Sequence, residues 1–276
     1  MTGRSAAKNR TRRPSMAERV DRYELYEASV HDAKVEVDFI RRTFRQLRGW
    51  DPITLREDFS GPASAACEWV RRGSRCRAIG VDIEAPVLEW GRKHRVSRLA
   101  PGARRRVTLI HGDVLSVRTE AVDAIAALNF SYWVFRERAV MLRYFRGARR
   151  ALAGDGILVL DAFGGYDAFR ELRERTRHPR FTYVWEQARY RPVTGDIRCH
   201  IHFRFPDGSR IQRAFTYEWR LWTLPELREL LADAGFNRVT VYWEGDDGKG
   251  GGNGEFAPEE QGDADAGWIA YIVAEK

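Results

Sequence analysis

Thr54-Leu55-Arg56-Glu57-Asp58-Phe59-Ser60-Gly61-Pro62-Ala63-Ser64-Ala65-Ala66 reads as a strand that turns through a glycine into a helix. A second apolar run, Ala78-Ile79-Gly80-Val81, ends on Asp82, 21 residues past Gly61. A third, Val107-Thr108-Leu109-Ile110, leads through His111-Gly112 to Asp113. Glycine at a strand-to-helix turn lets the backbone approach a ligand closely, and a carboxylate ending the next parallel strand is placed to accept ribose hydroxyls. Three acid-tipped strands in this order therefore predict a nucleoside site on a parallel α/β sheet. A pyrophosphate binder needs G-x-G-x-x-G so that backbone amides and a helix N-terminus face phosphate. Only Gly61 is present here, between Phe59 and Ala63, and the phosphate cradle is missing.

The order of these residues resembles a class I S-adenosylmethionine-dependent methyltransferase. That family's first motif carries an acid followed by three alternating glycines, and Glu57, Phe59, Gly61 and Ala63 stand at those four positions, so two of the three glycines are replaced. The residues Val122-Asp123-Ala124-Ile125-Ala126-Ala127-Leu128-Asn129-Phe130 resemble the fourth strand, and Leu152-Ala153-Gly154-Asp155-Gly156-Ile157-Leu158-Val159-Leu160 the loop into the fifth. Near the end, Thr223-Leu224-Pro225-Glu226 is a capping box with proline in the first turn, Leu227, Leu230, Leu231 and Ala234 recur at helical spacing, and Gly235 is the stop. A helix ending in Gly-Phe leads, in that family, into a closing antiparallel hairpin, here 238–243 and 268–274. The resemblance spans residues 50–276. It implies S-adenosyl-L-methionine as cofactor and S-adenosyl-L-homocysteine as product. Glu57, Phe59 and Gly61 would lie at the methionine end, Asp82 and Ile83 at the ribose, Asp113 and Val114 at the adenine, with Asn129 and Tyr26 completing the set.

The expected fold is a doubly wound, mostly parallel seven-stranded sheet with an antiparallel last strand, a small antiparallel β insertion and an N-terminal helical lid. The predicted divisions are a basic tail (1–16), the lid (17–49), a cofactor-binding core (50–178), the insertion (179–222) and the terminal helix with its hairpin (223–276). The lid rests on the stripe Val35, Phe39, Ile40, Thr43, Phe44 and Leu47, stopped by Gly49. Ahead of it Tyr23 and Tyr26 are candidates for substrate and cofactor contact respectively; half-buried packing is the other reading. After Asp161 a helical stretch to about Arg177 is expected, then strands at 181–188, 197–205 and 210–221, whose alternation suits half-buried antiparallel pairing. An insertion near the carboxyl edge of such a sheet would roof an acceptor pocket. The glycine-rich stretch 244–267 is expected to be a flexible loop anchored by Trp243 and Trp268.

Methyl transfer requires positioning, exclusion of water and, where needed, removal of a proton, so no elaborate constellation is required. His200 and His202 share one strand face and are candidate general bases, with Glu186 and Tyr217 on neighbouring strands as further catalytic candidates; a surface or hydrogen-bonding role is the alternative for each. Tyr132 and Trp133, in the segment after the fourth strand, and Trp185 are candidates for substrate contact. Enzymes that methylate base amines carry Asp or Asn followed by Pro-Pro-aromatic after that strand, and this chain has Asn129-Phe130-Ser131. Nucleic acid is thereby disfavoured as a partner, and a small-molecule acceptor, methylated on nitrogen or oxygen by in-line displacement, is the expectation. A noncatalytic cofactor-binding protein, or a methyltransferase acting on RNA or protein, is the alternative.

The net charge is +8, and Arg4, Lys8, Arg10, Arg12 and Arg13 supply five of those charges. Such a tail attracts anionic surfaces or is simply solvated. Cys67, Cys76 and Cys199 form no C-x-x-C pair, which argues against a zinc site or a disulfide framework and for reduced, buried thiols. No apolar run reaches the length of a membrane span and no signal sequence opens the chain, so a cytoplasmic protein is expected, with a homodimer compatible.

Overall fold

The computed structural model describes residues 13–30, 32–248 and 251–276. Helices α1 (Met16–Arg19), α2 (Arg22–Val30) and α3 (Ala33–Arg48) come first. Asp32 caps α3 by accepting the amides of Lys34 and Val35, and Gly49, at φ 79°, ends it. The core then alternates strand and helix: β1 (Thr54–Asp58), α4 (Ser64–Arg71), β2 (Arg77–Asp82), α5 (Ala85–His94), α6 (Pro101–Arg104), β3 (Val107–His111), β4 (Val122–Ala127), α7 (Arg138–Ala151) and β5 (Leu152–Gly164). Strands β6 (Leu172–Arg177), β7 (Thr182–Arg191), β8 (Asp196–Arg204) and β9 (Arg210–Arg220) follow. Helix α8 (Leu224–Asp233) and strands β10 (Arg238–Asp246), β11 (Gly252–Glu259) and β12 (Trp268–Glu275) complete the chain. The Thr223–Glu226 capping box of α8 is formed.

The main sheet runs β11-β10-β12-β5-β4-β1-β2-β3. Strands β1 to β5 pair in parallel, while β12 is antiparallel to both β5 and β10. Alternating βα units must pair in parallel because each helix carries the chain back across the sheet. Strand order reverses on either side of β1, and the crevice above such a switch point is where open α/β sheets bind ligands. Val37, Ile40 and Phe44 of α3 with Ala66 and Trp69 of α4 cover one face of the sheet; Met141 and Phe145 of α7 with Leu227 and Leu231 of α8 cover the other.

Strands β6 to β9 form a separate antiparallel sheet that caps the carboxyl edge. Its inner aromatic side chains, among them Phe203 and Phe215, pack with Leu25, Tyr26 and Val30 of α2, so the N-terminal helices are trapped between cap and core. Two expectations are corrected here. The helix expected to run to Arg177 is a single 3-10 turn, Tyr166–Phe169, followed by β6, so the cap begins at Leu172 rather than 179 and has four strands. The glycine-rich stretch expected as a loop contains β11, which adds an eighth strand by pairing with β10. Trp243 and Trp268 do anchor it, with ring centroids 4.9 Å apart. The basic tail falls outside the described residues up to position 12. All three cysteines are buried free thiols, and no described helix is long and apolar enough to cross a membrane.

Candidate functional site

The loop between β1 and α4 keeps a glycine path without the glycines. Phe59, Gly61 and Ala63 all have positive φ, at 57°, 49° and 62°. Two L-residues in this region cost roughly 1–2 kcal/mol each, so the surroundings must hold the loop down. The Ser60 amide donates to the Val81 carbonyl at 2.9 Å, and the Gly61 amide donates to Asp82 Oδ2 at 2.7 Å. Phe59 packs against Phe135 and Tyr144. From the other side α5 closes on Pro62, where Gly91 is essential: a Cβ there would stand 2.5 Å from the Pro62 carbonyl oxygen. Gly91→Ala gains about 1 kcal/mol of helix propensity against about 1–3 kcal/mol of overpacking. A net loss in urea unfolding is therefore expected, together with weaker cofactor binding by calorimetry.

The carboxylates named from sequence sit on adjacent strands at one edge of the sheet. Asp82 accepts the Gly61 amide on one oxygen and the Glu84 amide on the other, at 2.7 and 2.8 Å, and is thus a strut for the loop as well as a ribose candidate. Burial pushes its pKa up, opposed by those two amides. Ile83 beside it is 63% exposed, an apolar side chain standing open at the sheet tip. Glu57 accepts the Ala66 amide in the first turn of α4 at 2.9 Å, where the helix dipole favours a negative charge. Asp113 accepts the amide of Leu115, and Val114 is buried. Above Gly61 a Cβ would meet nothing within 4 Å, so the space over the loop is open. The loop path, the acids at the strand tips and this open space fit an adenosyl group.

Helix α2 is pinned across this crevice. The Glu27 carboxylate pairs with Arg95, the residue that caps the end of α5, and accepts the Ser64 hydroxyl at the start of α4, while the Trp90 indole donates to Asp21 at 2.7 Å. Tyr23 packs at a tilt in the seam between Trp90 and Phe215, with centroids 5.6 and 6.0 Å away, and is not among the residues that line the cavity, which corrects its placement at the substrate. Tyr26 does reach inward and is hydrogen-bonded to Tyr217.

Between cap, lid and sheet edge lies a cavity of about 590 Å³, within the range of ordinary small-molecule sites. Asn129, Phe130 and Asp161 form its wall at the sheet edge; Trp185, Tyr217 and Trp219 form its roof. Asn129 and Phe130 both have φ 56°, and this turn aims their two amides at the Asp161 carboxylate, 2.7 and 2.9 Å away. Asp161 is 7% exposed; burial pushes its pKa up to about 7 although the two amides hold it down, and nearby Glu36 adds to the rise. Tyr132 and Trp133 are fully buried one layer behind the wall. The Tyr132 hydroxyl donates to the Asp161 carbonyl at 2.8 Å, and Trp133 packs on Phe163 and Trp219. Their expected contact with substrate is therefore corrected to support of the wall.

The catalytic candidates divide by strand face. Tyr217 lines the cavity, as does the substrate candidate Trp185. His200, His202 and Glu186 lie on the opposite face, because successive strand side chains alternate and Ile201 between the histidines points inward. There the His202 Nδ1 accepts the Arg213 amide at 3.1 Å, which leaves the proton on Nε2 to be donated to Glu186 at 2.8 Å. Arg173 binds the same carboxylate. Burial would raise the Glu186 pKa, but these partners outweigh it and hold it below the usual range. His200 bonds Thr216 at 2.9 Å, and burial, then Arg213, pull its pKa down. These three residues form a structural network and are no bases for a guest of the cavity. Burial first, then Tyr26, raises the Tyr217 hydroxyl well above its ordinary value, so it holds its proton and donates. Sequence reading missed Asp161, Glu36, Tyr183 and Trp219. Asp161 carried the same mark as Asp82 and Asp113, an acid closing an apolar strand.

Residues 59–160 match a family model described as a methyltransferase domain. No curated protein matches the chain. Among solved structures, an S-adenosylmethionine-dependent methyltransferase from Clostridium acetobutylicum superimposes with TM-score 0.68 at 14% identity, over 92% of this chain and 96% of that one. CalS10, an amino pentose methyltransferase from Micromonospora echinaspora, gives 0.65 at 18% identity over 93% and 97%. The sugar N-methyltransferase KedS8 from Streptoalloteichus gives 0.62 at 17% identity, with 99% of both chains covered. At these identities the likeness is one of fold.

Proposed function

We propose an enzyme that transfers a methyl group from S-adenosylmethionine to nitrogen or oxygen of a small molecule, on a chain whose residues 59–160 match a methyltransferase-domain family model and whose fold is like that of solved S-adenosylmethionine-dependent methyltransferases. The observation that carries this reading is the cavity of about 590 Å³ between the cap, α2 and the carboxyl end of β5, walled by Asn129, Phe130 and Asp161. A cavity of this size holds a compact guest. The solved structures named above include two whose acceptors are sugars, which supports a small acceptor.

The residues that would hold the cofactor are the loop 59–63, Asp82 with Ile83 at the ribose, Asp113 with Val114 at the adenine, and Glu57, Asn129 and Tyr26 towards the methionine end. When bound, the cofactor supplies a methyl carbon activated by the sulfonium. The protein contributes position and dryness: α2, pinned by Glu27 and Asp21, closes the crevice, and the aromatic roof excludes water.

Asp82→Ala removes both the strut under Gly61 and the ribose contact. Cofactor affinity should fall by about 1–3 kcal/mol, the range for hydrogen bonds to a charged group. Isothermal titration with S-adenosylmethionine and S-adenosylhomocysteine measures this, and an unchanged isotherm would remove the ribose assignment. Absence of heat with either compound in the parent protein would remove the reading itself.

A further inference from the structure

The cavity wall carries charge of one sign. Glu36, Asp161, Asp167, Glu174 and Glu244 line it, and no Lys, Arg or His does among the described residues. The chain as a whole has 47 Lys and Arg against 39 Asp and Glu, so composition does not explain the bias. Asp161 stands on the wall at the sheet edge, and although its two oxygens accept the Asn129 and Phe130 amides, a carboxylate has further lone pairs for a guest. The groups facing Asp161 are Glu36 from α3, Tyr26 from α2, Tyr132 from behind β4 and Tyr271 from β12, none of them a cation.

A second observation is independent of charge. Trp185, Tyr217, Trp219, Phe130, Phe163 and Trp268 supply π faces around the acids, the surroundings that bind organic cations.

We propose that the guest is a protonated amine, seated against Asp161, and that the acceptor atom is its nitrogen. This rests on the methyltransferase reading for the chemistry, though not for the binding. An ammonium has no free electron pair, so one N–H bond must first break. The proton goes to an Asp161 oxygen, the electron pair stays on nitrogen, and a neutral amine and a neutral carboxylic acid result. Against a carboxyl near pH 7, an alkylammonium with pKa of about 10 gives up a proton across about three units. A hydroxyl, with a pKa of about 16 as for water, faces about nine. Asp161 is strong enough for an amine and too weak for an alcohol.

The test uses the whole chain saturated with S-adenosylhomocysteine, at pH 8, with tryptophan fluorescence reporting three probes of one shape: 2-aminocyclohexanol, cyclohexane-1,2-diol and 2-hydroxycyclohexanecarboxylate. Three of the nine tryptophans, Trp185, Trp219 and Trp268, line the cavity and respond to a guest there. The amine should bind at least tenfold more tightly than the diol, and the carboxylate most weakly. Asp161→Asn should abolish the preference for the amine while leaving the affinity for the diol. Should that variant fail to fold, the ranking in the parent and its decline in Glu174→Gln decide. Equal binding of amine and diol, a tighter carboxylate, or no amine binding while the cofactor product binds overturns the proposal and leaves the methyltransferase reading standing. Preference for the amine in a protein that binds no S-adenosylhomocysteine overturns that reading and leaves the cation site.

Discussion

Asp58→Ala is expected to destabilise the fold by about 3–5 kcal/mol, the range for stripping one partner from a buried ion pair. Arg56 and Asp58 point to one side of β1 and are 2% and 1% exposed; their atoms meet at 2.7 Å, and the Tyr144 hydroxyl donates to the second Asp58 oxygen at 3.0 Å. Removing the carboxylate leaves a guanidinium in a core with no water to solvate it. The pair is not thereby a source of stability, because burial pushes the Asp58 pKa above the ordinary carboxylate range in spite of Arg56. The triple variant R56M/D58L/Y144F, which removes every polar atom of the group, should lose much less than Asp58→Ala in urea unfolding. If the single variant unfolds at the same urea concentration as the parent, the pair does not bear on β1. Because Glu57 and the loop 59–63 follow directly from this strand, the loss should reach cofactor binding as well.

The core of this fold could be read from the chain because local and global signals agree there. Apolar runs at Ala78–Val81 and Ile125–Ala127 become buried strands, Asp82 closes the first, and the Thr223–Glu226 box starts a helix. The cap was harder. Residues 166–177, Tyr-Asp-Ala-Phe-Arg-Glu-Leu-Arg-Glu-Arg-Thr-Arg, favour a helix residue by residue, yet the exposed edge of β7 offers a ladder of backbone partners and a cross-strand ion pair between Arg173 and Glu186. Pairing outweighs propensities worth a few tenths of a kcal/mol per residue. The same competition turns Gly252–Glu259 into a strand on the edge of β10. In the candidate site, alternation along β8 correctly separated Ile201 and Phe203 from His200 and His202, but it does not say which row meets a cavity. Chemistry drew attention to the histidines, whereas the cavity is built on the apolar row and its acid arrives from β5, some 40 residues earlier in the chain. Contacts of that sequence separation leave no local periodicity to read.

Asp161→Asn is expected to make the protein more stable, and to do so only at neutral and alkaline pH. The Asp161 carboxyl moves from 3.8 to about 7 on folding, mainly through burial. A group whose folded pKa is raised binds protons more readily in the native state. Its contribution is fully present below pH 4 and is lost as the pH climbs to about 7. Three units at about 1.4 kcal/mol each make that loss roughly 4 kcal/mol. The amide escapes it but keeps a single oxygen for the Asn129 and Phe130 amides, a sacrifice of about 1 kcal/mol. The variant should therefore match or fall slightly below the parent at pH 4 and exceed it by about 3 kcal/mol at pH 8, read from urea unfolding at both values. Asp58 and Asp82 are shifted in the same direction, but they are common to both proteins and cancel in the difference. A parent equal to or more stable than the variant at pH 8 would show that the carboxylate is satisfied as it stands, and would take away the reason for a cation beside it. With the strain present, 2-aminocyclohexanol should raise the stability of the parent at pH 8 by more than cyclohexane-1,2-diol does, and that of Asp161→Asn only by as much as the diol, since a ligand stabilises the state that binds it in proportion to its affinity.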